Sequence, residues 1–442
     1  MILTLIALGS LIFLKNSLKV TPPVILLLLT LYWVSNTSHM TMLSNQEWIN
    51  SSLVALTLWI TALLYPASLK NFLDRPKLLN QSMISLAILL TITFMTNNLL
   101  WFYISFELTL LPTMALIIVW GNQPERLKAT FYMIMYTVFL SFSLLTVLFV
   151  WYKSFNYMFL SKSYPANFSK LMTTSMLVWL PLIFLPFLVK IPMYSLHLWL
   201  PKAHVQAPVA GSMILAAVLL KLGSYGLYRM IYLMSALPAL QTTKMYLTPL
   251  ALLGASITGL ICLNQTDLKA LIAYSSVAHM GLIVTALMSQ SIIGLKASLL
   301  IMLSHGFTSS SLFLMVNSLY LKSNSRSSLM NKGNLVVLPS FTLIWLISVA
   351  TNMSTPPTLN FLGEIMAIPP TLIISPMMAI IMITLTFMTG AYSLYLYTLI
   401  NHGPPSTTNH LMPSPSNAMK MNATFHLLPL ILLPLSMKTL IL

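Results

Sequence analysis

Charge is the scarcest feature of this 442-residue sequence: only 6% of its residues are Asp, Glu, Lys or Arg, against the roughly 25% of a soluble globular domain. With 57% hydrophobic residues, a water-soluble core of this size would leave too much apolar surface uncovered. Acids are rarer still, six against 22 Lys and Arg. The formal charge of +16 does not point to nucleic acid, because the basic residues are scattered along hydrophobic segments and never gathered into one face. A single cysteine, Cys262, excludes an internal disulfide. CxxC pairs, HExxH and glycine-rich phosphate loops are missing, so no iron–sulfur, flavin, nucleotide or zinc site is expected in this chain. Residues 1–14 are apolar without a basic n-region, and no cleaved targeting segment is expected.

What the sequence does have is apolar runs. A membrane-spanning helix needs about 20 apolar residues, and about fourteen candidate spans can be drawn, at 2–14, 21–35, 49–68, 81–97, 99–119, 129–152, 174–198, 211–233, 245–263, 268–288, 292–320, 335–374, 376–400 and 423–440. The expected fold is an all-α polytopic membrane protein. Once the mid-span Lys190 and Lys221 are set aside, thirteen Lys/Arg fall in connections after odd-numbered spans and seven, Arg229 among them, in the others. That bias puts the odd connections on the inner side.

All six acids can be placed: Glu47, Asp74, Glu125 and Asp267 fall at interfaces, whereas Glu107 in WFYISFELTLLPT and Glu364 in LNFLGEIMAI lie inside apolar runs. An acid near a helix centre costs about 2.5–3.5 kcal/mol or more, so each needs a partner or a use. Lys190 and Lys221 are equally far from any polar boundary. Snorkelling is the ordinary explanation for a membrane lysine, and their depth disfavours it. Pro181, Pro186 and Pro192 surround Lys190, so its helix must lose backbone hydrogen bonds, and freed carbonyls at membrane depth are tolerated only against protein or a wet cavity. A second break, Pro356-Pro357, precedes Glu364. The offsets Lys190 to Glu364, 174 residues, and Glu107 to His279, 172 residues, suggest inverted five-helix repeats. His279 and His305 sit in apolar spans of the second repeat. A lone buried histidine is more often a hydrogen-bonded structural residue, but several among buried Lys and Glu read as relay elements.

The segments FLVKIPMYSLHLWLPKAHVQAPVAGSMILAAVLLKLGSYG, FELTLLPT, WGNQPERL, AYSSVAHMG, SHGFTSSSLF and PPTLNFLGE together resemble the chain 4 family of antiporter-like, proton-pumping subunits of mitochondrial NADH:ubiquinone oxidoreductase, complex I. The resemblance covers about residues 98–400 and is most specific over 98–235. It implies fourteen transmembrane helices with discontinuous helices 7 and 12. Helices 1–3 would occupy residues 1–80, a first antiporter-like half (helices 4–8) residues 81–235, a second (helices 9–13) residues 244–400, and a loop with helix 14 residues 401–442. It implies a relay of Glu107, Lys190, Lys221, His279, His305 and Glu364, with weaker parts for His197 and His204. It also implies the mitochondrial inner membrane as location, sister antiporter-like subunits and lipids including cardiolipin as partners, and no cofactor in this chain. The NADH, FMN, iron–sulfur clusters and ubiquinone would belong to the rest of the complex. Gln206 in HVQAP departs from the family, which usually shows Glu there.

The expected mechanism is electrostatic. Glu107 holds the Lys190 proton, so moving or neutralising Glu107 favours its release, onward to Lys221 and then to Glu364. Moving one charge against roughly 100 mV costs about 2.3 kcal/mol, within reach of modest rearrangements. An Mrp-type cation/proton antiporter component and a purely architectural role are the competing readings. Chain 4-like motifs outside the shared Lys/Glu core weigh against the first, and retention of all four mid-membrane charges against the second.

Overall fold

The structure, a computed structural model, describes residues 4, 8, 25–30, 45–68, 75–155, 176–235, 238–405 and 416–436. The runs expected at 2–14 and 21–35 lie largely outside the described residues, as do Asp74 and the side chain of Glu47. Among the described residues the regular structure is helical, with an isolated bridge between Asp267 and Ser327. Ten helices among the described residues are long and apolar enough to cross a membrane by length and composition. The chain divides into two compact units, Met1–Pro192 with Gln206–Tyr246, and Met193–Val205 with Leu247–Leu442.

In the first unit, α1 (Asn45–Ala67) packs on α2 (Pro76–Met95), whose first residue is a proline, where a missing N–H costs nothing. The next apolar run, Leu99–Trp120, is interrupted at Thr109 into α3 (Leu99–Leu108) and α4 (Leu110–Trp120). Pro112 explains the interruption, since it has no N–H to give the Leu108 carbonyl. α5 (Arg126–Phe155) and α6 (Met176–Lys190) pack together. The run expected at 174–198 is helical only as far as Lys190. Pro192 removes the next donor and biases Ile191 away from helical geometry. The irregular stretch that follows, with Ser195 at φ 82°, and α7 (Trp199–Gln206) up to Val205 belong to the second unit. α8 (Val209–Ile214) runs through one π-helical turn, Leu215–Leu219, into α9 (Leu220–Leu233), and every residue of this span but Tyr232 is buried.

α10 (Ala239–Leu263) leads into the second unit. There α11 (Leu268–Met288) precedes α12 (Ile292–Ser323), whose 32 residues make a rod of about 48 Å. Ser291 caps α12, its hydroxyl accepting from the Gly294 N–H at 3.0 Å, and Asn324 closes it in the left-handed region. The rod is the core of this unit, packed by α11, α14 (Pro339–Asn352), α15 (Leu359–Ile374) and α17 (Asn417–Ser436), with α13 (Asn334–Val337) and α16 (Pro376–Asn401) completing it. The long run expected at 335–374 is broken at 353–358, around Pro356 and Pro357. The Ala350 carbonyl freed there is recovered by the backbone N–H and hydroxyl of Thr355, at 3.2 and 3.1 Å.

Outward faces are apolar. Phe131, Met135, Phe139, Phe142 and Phe149 form one exposed stripe on α5, Phe139 being 69% exposed. Such a face suits lipid or a neighbouring apolar subunit, not water.

Candidate functional site

In the first unit the end of α6 delivers Lys190 into protein. Its Nζ donates to the Phe106 carbonyl at 2.8 Å and lies 3.1 Å from the centre of the Phe106 ring, so the charge meets a backbone dipole and an aromatic face. Glu107 follows Phe106 in sequence. Its carboxylate is within electrostatic reach of Lys190 and lies beside Ser141 of α5, with Oε1 buried and lacking a hydrogen-bond partner among the described residues. The expected Glu107–Lys190 pair is therefore indirect, with the Phe106 carbonyl receiving the ammonium. The break at Thr109 puts this carbonyl in the last turn before an interrupted ladder, where the Thr109 hydroxyl also donates to it at 2.8 Å.

Lys221 is fully buried, and its Nζ donates to the Ala216 carbonyl at 2.6 Å. That acceptor lies five residues back, inside the π turn, whose wider bore displaces carbonyls from the regular ladder. Gly223 lets α9 lie directly on the end of α6: a Cβ there would stand 2.9 Å from both the Ile191 nitrogen and the Phe187 carbonyl. Glycine is the residue that permits this approach, and it brings the helix bearing Lys221 against the segment bearing Lys190.

In the second unit, Glu364 of α15 faces His279 of α11, Oε1 to Nδ1 at 3.6 Å. The Tyr392 hydroxyl of α16 lies 3.5 Å from the other ring nitrogen of His279. His305 of α12 stands with its ring centre 5.6 Å from that of His279. Four helices thus converge on one buried cluster. Gly363 allows the convergence, because a Cβ there would meet the Ile301 side chain and backbone of α12 at 2.7 and 3.2 Å. Asn360, one turn before Glu364, accepts from Ser304 at 3.0 Å and donates to Ser354 at 3.3 Å, and Ser354 also reaches the Glu364 carboxylate. These bonds tie the break to α12.

The weaker candidates take other positions in this unit. His197 stacks on Tyr194 (ring centres 5.3 Å apart) with Tyr274 at its edge, and His204 stacks on Phe313 at 4.7 Å. Neither ring touches the His279 cluster through these contacts. Gln206, in the first unit, donates to Gln123 at 3.0 Å and to Glu125 at 3.3 Å. An amide can donate to Glu125 where an ionised Glu could not.

Arg229, counted above with connection residues, is instead inside α9 and buried: its Nε donates to the Tyr225 hydroxyl at 2.8 Å and Nη2 to the Asn50 side chain at 3.1 Å. Its place near the end of an apolar run made it look like an interface residue. Tyr392 and His426 are further buried polar residues that the sequence reading did not single out.

The family described as NADH:quinone oxidoreductase/Mrp antiporter, TM, matches residues 96–389, the stretch that holds all six principal candidates. The chain belongs to this family. Its curated relatives include the NADH-ubiquinone oxidoreductase chain 4 of Lumbricus terrestris, 42% identical over 417 residues, 92% of this chain and 91% of that one. The chain 4 of Ceratitis capitata is 43% identical over 359 residues, 80% and 78% of the two chains. That of Tetraodon nigroviridis is 38% identical over 435 residues, 97% and 91%. Among solved structures, respiratory complex I from Thermus thermophilus with bound NADH matches with TM-score 0.77 at 22% identity, covering 88% of this chain and 83% of that one. The Mrp complex from Dietzia sp. DQ12-45-1b matches with TM-score 0.79 at 17% identity, covering 99% and 93%. At those identities the structural likenesses establish the fold. The antiporter-like membrane fold and the resemblance to chain 4 of complex I are both borne out.

Proposed function

We propose that this chain is a proton-translocating, antiporter-like membrane-arm subunit of respiratory complex I, acting in the mitochondrial inner membrane. The observation that carries the reading is the Glu364–His279 contact at 3.6 Å, a buried acid just after a helix break facing a buried base on the neighbouring α11, in a chain whose relatives are named NADH-ubiquinone oxidoreductase chain 4. Groups that bind and release protons are costly in a membrane and accumulate where ions pass. Glu107, Lys190, Lys221, His279, His305 and Glu364 are the relay, with His197 and His204 in supporting parts.

A change in charge or position at Glu107 alters how firmly Lys190 holds its proton, and the Phe106 carbonyl receives the ammonium in place of a carboxylate. In the second unit, His279 can accept a proton on the nitrogen facing Glu364 while Tyr392 orients the other. The redox energy arrives from NADH, FMN, iron–sulfur and ubiquinone chemistry in other subunits, and this chain binds none of those groups. Its partners are the sister antiporter-like subunits and lipids, cardiolipin among them. They would cover apolar faces such as that of α5; nucleic acid has no part. An Mrp-type antiporter component would have the same fold, but relatives at 38–43% identity over most of the chain favour complex I.

The test is Glu364→Gln in the assembled complex. Gln keeps nearly the shape of Glu and can hydrogen-bond, but cannot cycle a proton near neutral pH. Assembly is expected to hold while protons moved per electron fall. Unchanged pumping by a normally assembled variant would sink the relay assignment.

A further inference from the structure

Outside the cluster around Glu364, the second unit buries another imidazole. His426 of α17 is 0% exposed, and its Nδ1 lies 3.1 Å from the Ser310 hydroxyl of α12. The Ser310 hydroxyl donates to the carbonyls of Gly306 and Phe307, at 2.9 and 3.0 Å. Its proton being committed there, the hydroxyl oxygen accepts from His426, which places the imidazole proton on Nδ1. Nε2 is then a bare lone pair, and it is buried without a hydrogen-bond partner among the described residues. A fully buried ring nitrogen left without a partner calls for a reason beyond packing. Ser310 is five residues beyond His305 on the same helix, a rise of about 7.5 Å. One turn before His426, Asn422 is likewise buried, so α17 turns a polar edge inward next to α12, α14 and α15.

Resting on the reading above, we propose that His426 is a further relay residue, extending the proton path from the His305 region of α12 across Ser310 to α17. A proton arriving at Nε2 releases the Nδ1 proton to the Ser310 oxygen. Ser310 in turn hands its own hydroxyl proton to a water or imidazole on the His305 side. One proton moves and both side chains return to their starting charge, with the imidazole proton now on Nε2; a ring rotation restores the Nδ1 tautomer for the next proton, or the reverse sequence carries a proton the other way and restores it.

The test compares His426→Asn, Ser310→Ala and Glu364→Gln in assembled complex reconstituted into proteoliposomes, measuring assembly and protons moved per electron. The Asn amide can replace the Nδ1 donor and keep the bond to Ser310, but cannot relay. Normal assembly of His426→Asn with a ratio lowered to that of Glu364→Gln supports the proposal. A normal ratio in His426→Asn beside a lowered one in Glu364→Gln overturns it alone, and normal ratios in both overturn the reading beneath it. Should His426→Asn assemble poorly, Ser310→Ala decides: a lowered ratio supports the proposal, an unchanged one overturns it.

Discussion

Lys221 reaches back five residues to the Ala216 carbonyl, 2.6 Å away, across the π turn that precedes it. A π turn is a single-residue insertion in an α-helix. Deleting Ala217 should therefore restore regular helix while leaving α8 and α9 in place. The Ala216 carbonyl would then be taken by the ordinary ladder, and Lys221 would lose a charge-assisted bond of about 1.5–3 kcal/mol. The expected outcome is assembled complex near the native amount with fewer protons moved per electron, read by blue-native gels and proteoliposome acidification.

Gly223 and Gly390 make opposite predictions from the same substitution. A Cβ at Gly223 would meet backbone of the α6 end at 2.9 Å, whereas one at Gly390 meets nothing within 4 Å. Gly223→Ala should displace the segment bearing Lys190 and cost about 1–3 kcal/mol, lowering both assembly and pumping. Gly390→Ala should be silent in both measurements.

The principal charges were legible because each stands alone in an apolar run, where a lone Glu or Lys has no cheap explanation. The breaks after Lys190 and before Glu364 were legible because Pro192 and the Pro356-Pro357 pair cannot keep a backbone ladder, whereas the interruption at Thr109 fell inside a run drawn as one span, 99–119. The π turn was not: LAAVL contains neither Gly nor Pro, and only packing around it sets its pitch. Tyr392 escaped notice because a tyrosine in a membrane helix usually belongs to packing or an interface, and His426 because it lies in the last stretch, where the resemblance adds little. The His279–Glu364 contact joins residues 85 positions apart, and the repeat spacing pairs each of them with a residue of the first half, not with each other.

Gln206 and Glu125 should behave as an exchangeable pair. Gln206→Glu removes two donated bonds, at 3.0 and 3.3 Å, and sets a buried carboxylate beside an existing one, costing about 2–3 kcal/mol. Adding Glu125→Gln to the same chain supplies an amide donor again and should recover most of the loss. Melting of the detergent-solubilised complex measures both; equal destabilisation in the single and double variants would refute the pairing.

Tyr392→Phe isolates the hydroxyl from the ring. Tyr392 is buried, and its hydroxyl lies 3.5 Å from His279 Nε2, so Phe keeps the packing volume and removes only the group that orients the imidazole. A neutral hydrogen bond is worth about 0.5–1.5 kcal/mol, and 1.36 kcal/mol corresponds to about tenfold in rate. Assembly should be unaffected, and pumping-coupled turnover should fall by up to about tenfold as His279 loses its fixed orientation toward Glu364. A role in packing alone would leave turnover at the native rate. Measuring NADH oxidation before and after an uncoupler in the same proteoliposomes separates the two, because a defect in proton relay limits coupled turnover whereas a defect in assembly lowers both in proportion.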